Sequence, residues 1–344
     1  MKNQQHIIIF RLSAMGDVAM TVPVIKSFVQ QYPEVKITFV SRSFLQPLFS
    51  DIDNVSFFAV DTKNNHKGFL GLISLFKELK SLQPTHFADF HNVLRSKIIR
   101  VLFSLFSKVR IAKIDKGRKD KKALTREKNK VFKQLKTSHQ RYADVLNELG
   151  FTTKIEKDIL QSNQGLSKKN IELFGEKKKK WIGIAPFAAF PSKTYPADLM
   201  LEVIEGLSKE NVRLFLFGGK ADIDKLQPIE SKFSNVTSVA GKLGGLTNEL
   251  NLIANLDAML SMDSGNAHFA AMLGIKTITL WGSTHPYAGF APFNQPNDYC
   301  ILPNLEKYPL LPTSIYGNET TPGYENVMRS ISPNMVIKKI KEVI

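Results

Sequence analysis

Residues 261–285 read Ser-Met-Asp-Ser-Gly-Asn-Ala-His-Phe-Ala-Ala-Met-Leu-Gly-Ile-Lys-Thr-Ile-Thr-Leu-Trp-Gly-Ser-Thr-His. A short, largely apolar run at 256–260 stops at Asp263-Ser264-Gly265. A helix-like segment carrying His268 then closes at Gly274, and a β-branched run follows at 277–280. The pattern is strand, turn, helix, strand, with polar residues gathered at the carboxyl end of the first strand. Open parallel sheets bind ligands at that end. Ser264 and Gly265 supply an N-cap and a close backbone approach, so that amides can face an anion. His268, five residues after Asp263, comes around the first turn toward the same crevice. On spacing alone, an ordinary βα turn with a structural Asp is an equal alternative.

The same alternation runs outward in both directions. Upstream, strands are expected at 7–10, 36–41, 55–60 and 85–90, with helices at 18–31, 69–82, 94–106 and 139–149. The second half repeats the scheme from 181–185, through strands at 212–217 and 236–239, and helices at 197–208, 222–233 and 246–254. A last helix, 334–344, follows Ser332-Pro333, and 286–325 reads as irregular. Strands alternating with helices imply parallel sheets. The expectation is α/β, with two Rossmann-like doubly wound domains. Their expected bounds are 1–165, a linker at 166–180 that leads into a short helix, a second domain at 181–325, and a terminal helix, 326–344, packing back on the first domain.

Composition narrows the classes. A 344-residue chain with 43% hydrophobic residues is long enough for two cores. One cysteine, Cys300, excludes an intramolecular disulfide and suits a reducing compartment. No Cys/His cluster has metal-ligand spacing. No apolar run reaches membrane-spanning length, and the amino terminus lacks a signal-like core, so a cytoplasmic location is expected. The net charge is +16, and 17 Lys/Arg against 3 acidic residues between 95 and 141 account for +14 of it. This concentration suggests an anionic partner: phospholipid, phosphorylated glycolipid or nucleic acid. The charge-rich stretch 112–136 has no clear period and reads as a mobile loop or an exposed, partly helical segment; a solvated loop of no special role is its bland alternative.

The loop 11–17 ends the first strand, and Gly16 permits a tight turn before Asp17. An N-cap accounts for Asp17 by itself. The loop matches neither the dinucleotide fingerprint nor the P-loop. If the two domains face each other across a cleft, Asp17 meets Lys193, Gly218-Gly219, Asp263 to Gly265 and His268. A nucleotide-sugar transferase needs such a set: cations and amides for a departing diphosphate, and a carboxylate for the attacking hydroxyl's proton.

The chain resembles glycosyltransferase family 9, the bacterial lipopolysaccharide heptosyltransferases. The resemblance lies in Arg11-Leu12-Ser13-Ala14-Met15-Gly16-Asp17-Val18, in Asp89-Phe90-His91-Asn92-Val93-Leu94-Arg95-Ser96, and more weakly in His139-Gln140-Arg141-Tyr142. It continues through Lys193-Thr194-Tyr195-Pro196, Phe217-Gly218-Gly219, Met262 to Ala271, and Trp281-Gly282-Ser283-Thr284-His285-Pro286. It implies the GT-B fold and inverting transfer of a heptose from an ADP-heptose donor to a lipopolysaccharide core (Kdo/lipid A-type) acceptor. By carry-over Asp17 is the general base and Lys193 neutralises the donor phosphates. Asp263 holds sugar hydroxyls, Ser264, Gly265 and His268 contact phosphate or sugar, and residues 241–247 line an adenine pocket. Gly218, Asp222 and Thr284 complete the donor-side set, and Ser13, Met15, Gly16, His91 and Arg95 form the acceptor side. No metal or other cofactor is implied, since lysine and helix amides take over a divalent ion's work. The implied partners are a nucleotide-sugar donor, an anionic glycolipid acceptor and an anionic membrane surface, met peripherally on the inner face of the inner membrane. Nucleic acid is not expected.

The sequence departs from the family pattern at 186–192, where Ser192 or Thr194 stands in for missing hydroxyl residues, and at Ser283, where a proline is usual. Two other readings stay open: a GT-B transferase with a different nucleotide sugar, and a non-catalytic relative that binds anions or membranes.

Overall fold

The structure, a computed structural model, describes residues 4–160 and 165–344. Residues 1–3 and 161–164, the latter at the end of the expected first domain, lie outside the described residues. The chain divides into two compact units, 1–116 with 138–159, and 117–137 with 160–344.

In the first unit the element order is β1 (His6–Phe10), α1 (Met15–Ala19), α2 (Val22–Gln31), β2 (Lys36–Ser41), β3 (Val55–Ala59), α3 (Gly68–Ser81), β4 (His86–Asp89), α4 (Leu94–Phe106) and β5 (Arg110–Lys113). The chain then contributes α5 (Arg118–Thr125) to the other unit and returns as α6 (Ser138–Glu148). The sheet order is β3-β2-β1-β4-β5, parallel throughout. Ile7 to Phe10 have no exposed surface, which is why the strand reads as an unbroken apolar run rather than an alternating one. α3 and α4 pack side by side on one face, with Leu75, Leu79, Ile99 and Phe103 in one core with Ile8, Phe10 and Phe87.

Three local expectations change here. The helix expected at 18–31 is two helices that begin earlier, broken at Met20 and Thr21. Pro23 sits in the first turn of α2, where its missing N–H costs nothing, and Thr21 Oγ1 donates to the Val18 carbonyl across the break. Asp17 therefore lies inside the first turn of α1. The fifth strand, β5, is a four-residue edge strand whose Arg and Lys hid it from an apolar-run reading.

The second unit runs α7 (Lys168–Phe174), β6 (Lys180–Ala185), α8 (Ala197–Ser208), β7 (Val212–Leu216), α9 (Ile223–Glu230), β8 (Val236–Ser238), α10 (Leu246–Ala254), β9 (Ala258–Met262), α11 (Gly265–Met272), β10 (Lys276–Leu280), β11 (Cys300–Ile301) and α12 (Pro333–Val343). Its sheet is β11-β10-β9-β6-β7-β8, again all parallel. The short helix expected after the linker is α7, and it packs on α10. Ser167 caps α7, and the buried Asn170 donates to Asn248 O and Asn251 Oδ1 of α10.

The terminal helix, expected to return to the first domain, belongs to the second unit. Val336, Ile340 and Val343 join the core that includes Val203, Ile204 and Leu207 of α8. Its helical stripe matches that core. The basic stretch 117–137 is partly helical and anchored rather than loose. Leu124 and Leu135 pack with Ala288, and the Lys121 ammonium lies 4.1 Å from the Phe290 ring centroid. Lys130 Nζ donates to the carbonyls of Leu124, Leu310 and Pro312 at 3.0, 2.6 and 2.8 Å. Part of the positive charge concentrated in the sequence is thus structural.

Candidate functional site

Both sheets reverse their direction of winding beside their first strand. In the first unit the chain leaves β1 toward β2 and β3, then resumes at β4 on the other side of β1. In the second it leaves β6 toward β7 and β8, then resumes at β9. Loops leaving the carboxyl ends of such a strand pair diverge to opposite faces and open a crevice between them, where doubly wound sheets bind ligands. The loops after β1 and β4 hold 11–17 and 89–95. Those after β6 and β9 hold Lys193 and Asp263 to His268.

On the first unit, Asp17 Oδ2 accepts the Ala14 N–H at 3.1 Å and pairs with Arg11 Nη2 at 2.8 Å. The Asp17 side chain keeps 30% of its surface, against 8% for Arg11. A carboxylate held this way is oriented yet reachable. Arg11, which the sequence placed in a motif but not in the site, is fixed in turn. Its Nη1 donates to the Phe90 carbonyl at 2.6 Å, and its guanidinium lies 5.5 Å from the Tyr142 ring centroid. Tyr142 stacks on Phe90 and donates through its hydroxyl to the Asp17 carbonyl at 3.3 Å.

His91 is buried beside this group. Its Nδ1 accepts the Leu12 N–H and its Nε2 lies against Ser13 Oγ, both at 3.4 Å. Burial, reinforced by the Arg11 charge, lowers its pKa to about 3, so the ring is neutral and Nε2 carries the proton. Asp89 is fully buried and structural. It accepts from His91 N and Asn92 N and pairs with Arg100 at 2.8 Å, setting the turn that presents His91. Gly16 is half-buried, while Met15 and Arg95 are exposed.

The second unit brings together residues far apart in sequence. Lys193 Nζ donates to Asp263 Oδ2 at 3.1 Å, and Thr284 Oγ1 donates to the same oxygen at 2.9 Å. Lys193, Asp263 and Thr284 are nearly enclosed. Ser264 occupies the N-cap position of α11, but its hydroxyl pairs with Ser261 Oγ at 3.0 Å and does not cap the helix. The Ser264 side chain therefore leaves the first-turn amides to other partners, and the helix dipole points its positive end at the Lys193–Asp263 pair's loop. His268 is buried one turn into α11.

Gly218 and Asp222 are coupled to each other. Asp222 Oδ2 accepts the Gly219 N–H at 3.0 Å, and a Cβ on Gly218 would press on Leu226 and on Asp222 itself. Gly244 and Gly245, in the expected adenine stretch, face open space. Among the described residues no group of three or more His, Cys, Asp or Glu could hold a metal ion.

Ser192, Ser283 and Gly317, the last unforeseen in the sequence, surround the Lys193 loop. Ser192 Oγ donates to the Gly317 carbonyl at 2.6 Å and accepts from Ser283 Oγ at 2.9 Å. Gly317 has φ +80°, and an added Cβ would fall on the Lys193 Cγ and Cδ. Ser283, a departure from the family pattern, thus ties the β10 loop to the Lys193 loop.

His285, in the loop after β10, is buried as well. His285 Nδ1 accepts the Tyr287 N–H at 3.1 Å, while Nε2 has no hydrogen-bond partner among the described residues. Burial and the Lys130 charge lower its pKa to about 4. Both histidines are neutral when folded but titrate near 6.5 when unfolded. The folded state therefore binds fewer protons in that window, and stability falls as pH drops below 6.5, levelling off at the folded pKa. Between pH 7 and 5 we expect each to cost about 1–2 kcal/mol. Urea unfolding of the wild type, His91→Gln and His285→Gln should show a flatter acid slope in each variant; unchanged slopes would remove the histidines as its cause.

The model of glycosyltransferase family 9 (heptosyltransferase) matches residues 73–313. The lipopolysaccharide core heptosyltransferase OpsX of Haemophilus influenzae is 24% identical over 97% of this chain and 96% of its own length. Among solved structures, a family 9 glycosyltransferase from Veillonella parvula superposes with a TM-score of 0.76 at 18% identity, covering 100% of this chain and 98% of its own. The E. coli heptosyltransferase WaaC with ADP superposes with a TM-score of 0.68 at 17% identity, covering 99% and 100%. The architecture these structures share with the chain is the two-domain α/β fold, GT-B.

Proposed function

The chain belongs to glycosyltransferase family 9, the heptosyltransferases, and on that premise we propose that it transfers a heptose from ADP-heptose to a lipopolysaccharide core acceptor with inversion. The acceptor hydroxyl oxygen attacks the anomeric carbon from the face opposite the leaving group. The carbon–oxygen bond to the β-phosphate breaks, ADP departs with the electron pair, and Asp17 takes the hydroxyl proton. Lys193 and the α11 amides carry the charge that grows on the departing diphosphate, without a metal. Asp263 and Thr284 orient donor hydroxyls, with Ser264, Gly265, His268, Gly218 and Asp222 completing that side. Ser13, Met15, Gly16, His91 and Arg95 serve the acceptor. The location follows as cytoplasmic, against the inner face of a membrane.

One observation carries this reading: Lys193, Asp263 and Thr284 converge at the β6/β9 reversal beside a helix start that its N-cap residue, Ser264, does not cap. The relatives add support, being lipopolysaccharide or lipooligosaccharide heptosyltransferases, and one solved neighbour binds ADP. Thermal shift with ADP, UDP and GDP tests it. ADP should raise Tm by several degrees more than the others at equal concentration. A preference for UDP or GDP would replace the donor with another nucleotide sugar, and no shift with any would favour a non-catalytic relative.

A further inference from the structure

α4 is apolar on two opposite faces. At 100° per residue, Leu94, Val101 and Leu105 fall within about 40° of arc. Ile99 and Phe103 point the other way and are buried in the core with α3. The outward three are 74%, 53% and 68% exposed, where a surface helix ordinarily carries polar residues. On neighbouring α3, Phe69 and Leu70 are 63% and 79% exposed. The charges around them are mostly positive. Residues 94–109 include Arg95, Lys97, Arg100 and Lys108 and no Asp or Glu, and α3 with the residue before it carries Lys67, Lys77 and Lys80 against one acid, Glu78, which bonds His66 and Ser74. Among the described residues Arg100 is the one of these cations with an ion pair, to Asp89.

We propose that the outward face of α3 and α4 docks on an anionic phospholipid surface. Apolar side chains ringed by lysine and arginine suit the boundary between acyl chains and acidic headgroups, the apolar groups entering and the cations staying at headgroup level. At 13 residues α4 is too short to cross a bilayer, and among the described residues no helix is long and apolar enough to do so. The face lies wholly within the first unit, apart from the anchored basic segment 117–137. The inference rests on the proposed lipid-linked acceptor, and it narrows the membrane contact from the basic stretch 95–141 to this helix pair.

The test is co-sedimentation of the full chain with vesicles of phosphatidylcholine, with and without phosphatidylglycerol. Wild type should bind only the phosphatidylglycerol vesicles, and less as salt rises. Val101→Ser/Leu105→Ser should weaken that binding at least about tenfold, and Lys97→Glu/Lys108→Glu similarly. Because these four side chains are exposed, turnover of a deacylated, water-soluble acceptor should be unchanged in the serine variant. Wild type that ignores phosphatidylglycerol, or a serine variant that binds as well as wild type, overturns the proposal. So does a face that instead pairs two copies of the chain, seen as a dimer lost in the serine variant with no vesicle binding. Tight vesicle binding without turnover of any acceptor would leave the docking surface standing and remove the transfer reaction.

Discussion

Asp17→Asn is expected to lower kcat at least about 100-fold while the fold persists, since positioned proton transfer contributes about 100- to 10,000-fold. Asparagine has the size to stay in the first turn of α1 and can still accept the Ala14 N–H that Asp17 Oδ2 accepts. It cannot take a proton at neutral pH. The variant also loses the charge opposite Arg11, whose guanidinium is largely buried but keeps the Phe90 carbonyl. A stability loss of about 1–3 kcal/mol should accompany the change, smaller than for a fully buried pair because Asp17 is partly solvated. Measuring kcat and KM with Tm on the same preparation separates the two effects. Retention of full turnover would remove Asp17 as the base.

Lys193→Ala should reduce kcat/KM for the donor at least about 100-fold, because a cation aimed at a leaving diphosphate acts most strongly where charge is growing. Lys193→Arg should recover only part of it, since a planar guanidinium cannot occupy the ammonium's place against Asp263 and Thr284. Gly317→Ala supplies a separate test of how Lys193 is held. The added methyl displaces the lysine stem without touching its charge, so donor KM should rise about tenfold with a smaller change in kcat. If Gly317→Ala leaves donor KM unchanged, the stem's path over residue 317 is not what positions the ammonium.

How far such features could be read in the sequence depends on whether they are local. Parallel strands buried on both faces give apolar runs, so β1, β2, β6 and β9 were legible directly, and with them the two-sheet α/β class. β5 was not, because an edge strand tolerates the Arg and Lys that end it. Pro23 was visible as a perturbation, yet whether it bends one helix or separates two depended on the Thr21 hydrogen bond. α7 was legible as a short helix but not as a packed one, because its anchor is a polar residue, Asn170, bonded to residues about 80 positions away.

The site divides the same way. Asp17, Lys193 and Asp263 were legible as residue types in loops after strands, and Thr284 only through the family resemblance. The shared oxygen that joins Lys193 and Thr284 to Asp263 was not, since it arises only when β6, β9 and β10 lie side by side. Ser264 was expected to cap α11, and its pairing with Ser261 instead leaves those amides open. Gly317 lies more than 120 residues from the lysine it accommodates, and no local pattern marks it. The charge in 117–137 was plain in the sequence, whereas its use in anchoring that segment through Lys130 and Lys121 was not.

The central claim is transfer from an ADP-linked heptose, and the most direct measurement is ADP release from ADP-heptose with and without a Kdo-containing lipid acceptor. The account predicts release that depends on acceptor, persists in the presence of a chelator, and disappears in Asp17→Asn. Release that needs no acceptor, or no release from ADP-heptose alongside turnover of a UDP- or GDP-linked sugar, would contradict it.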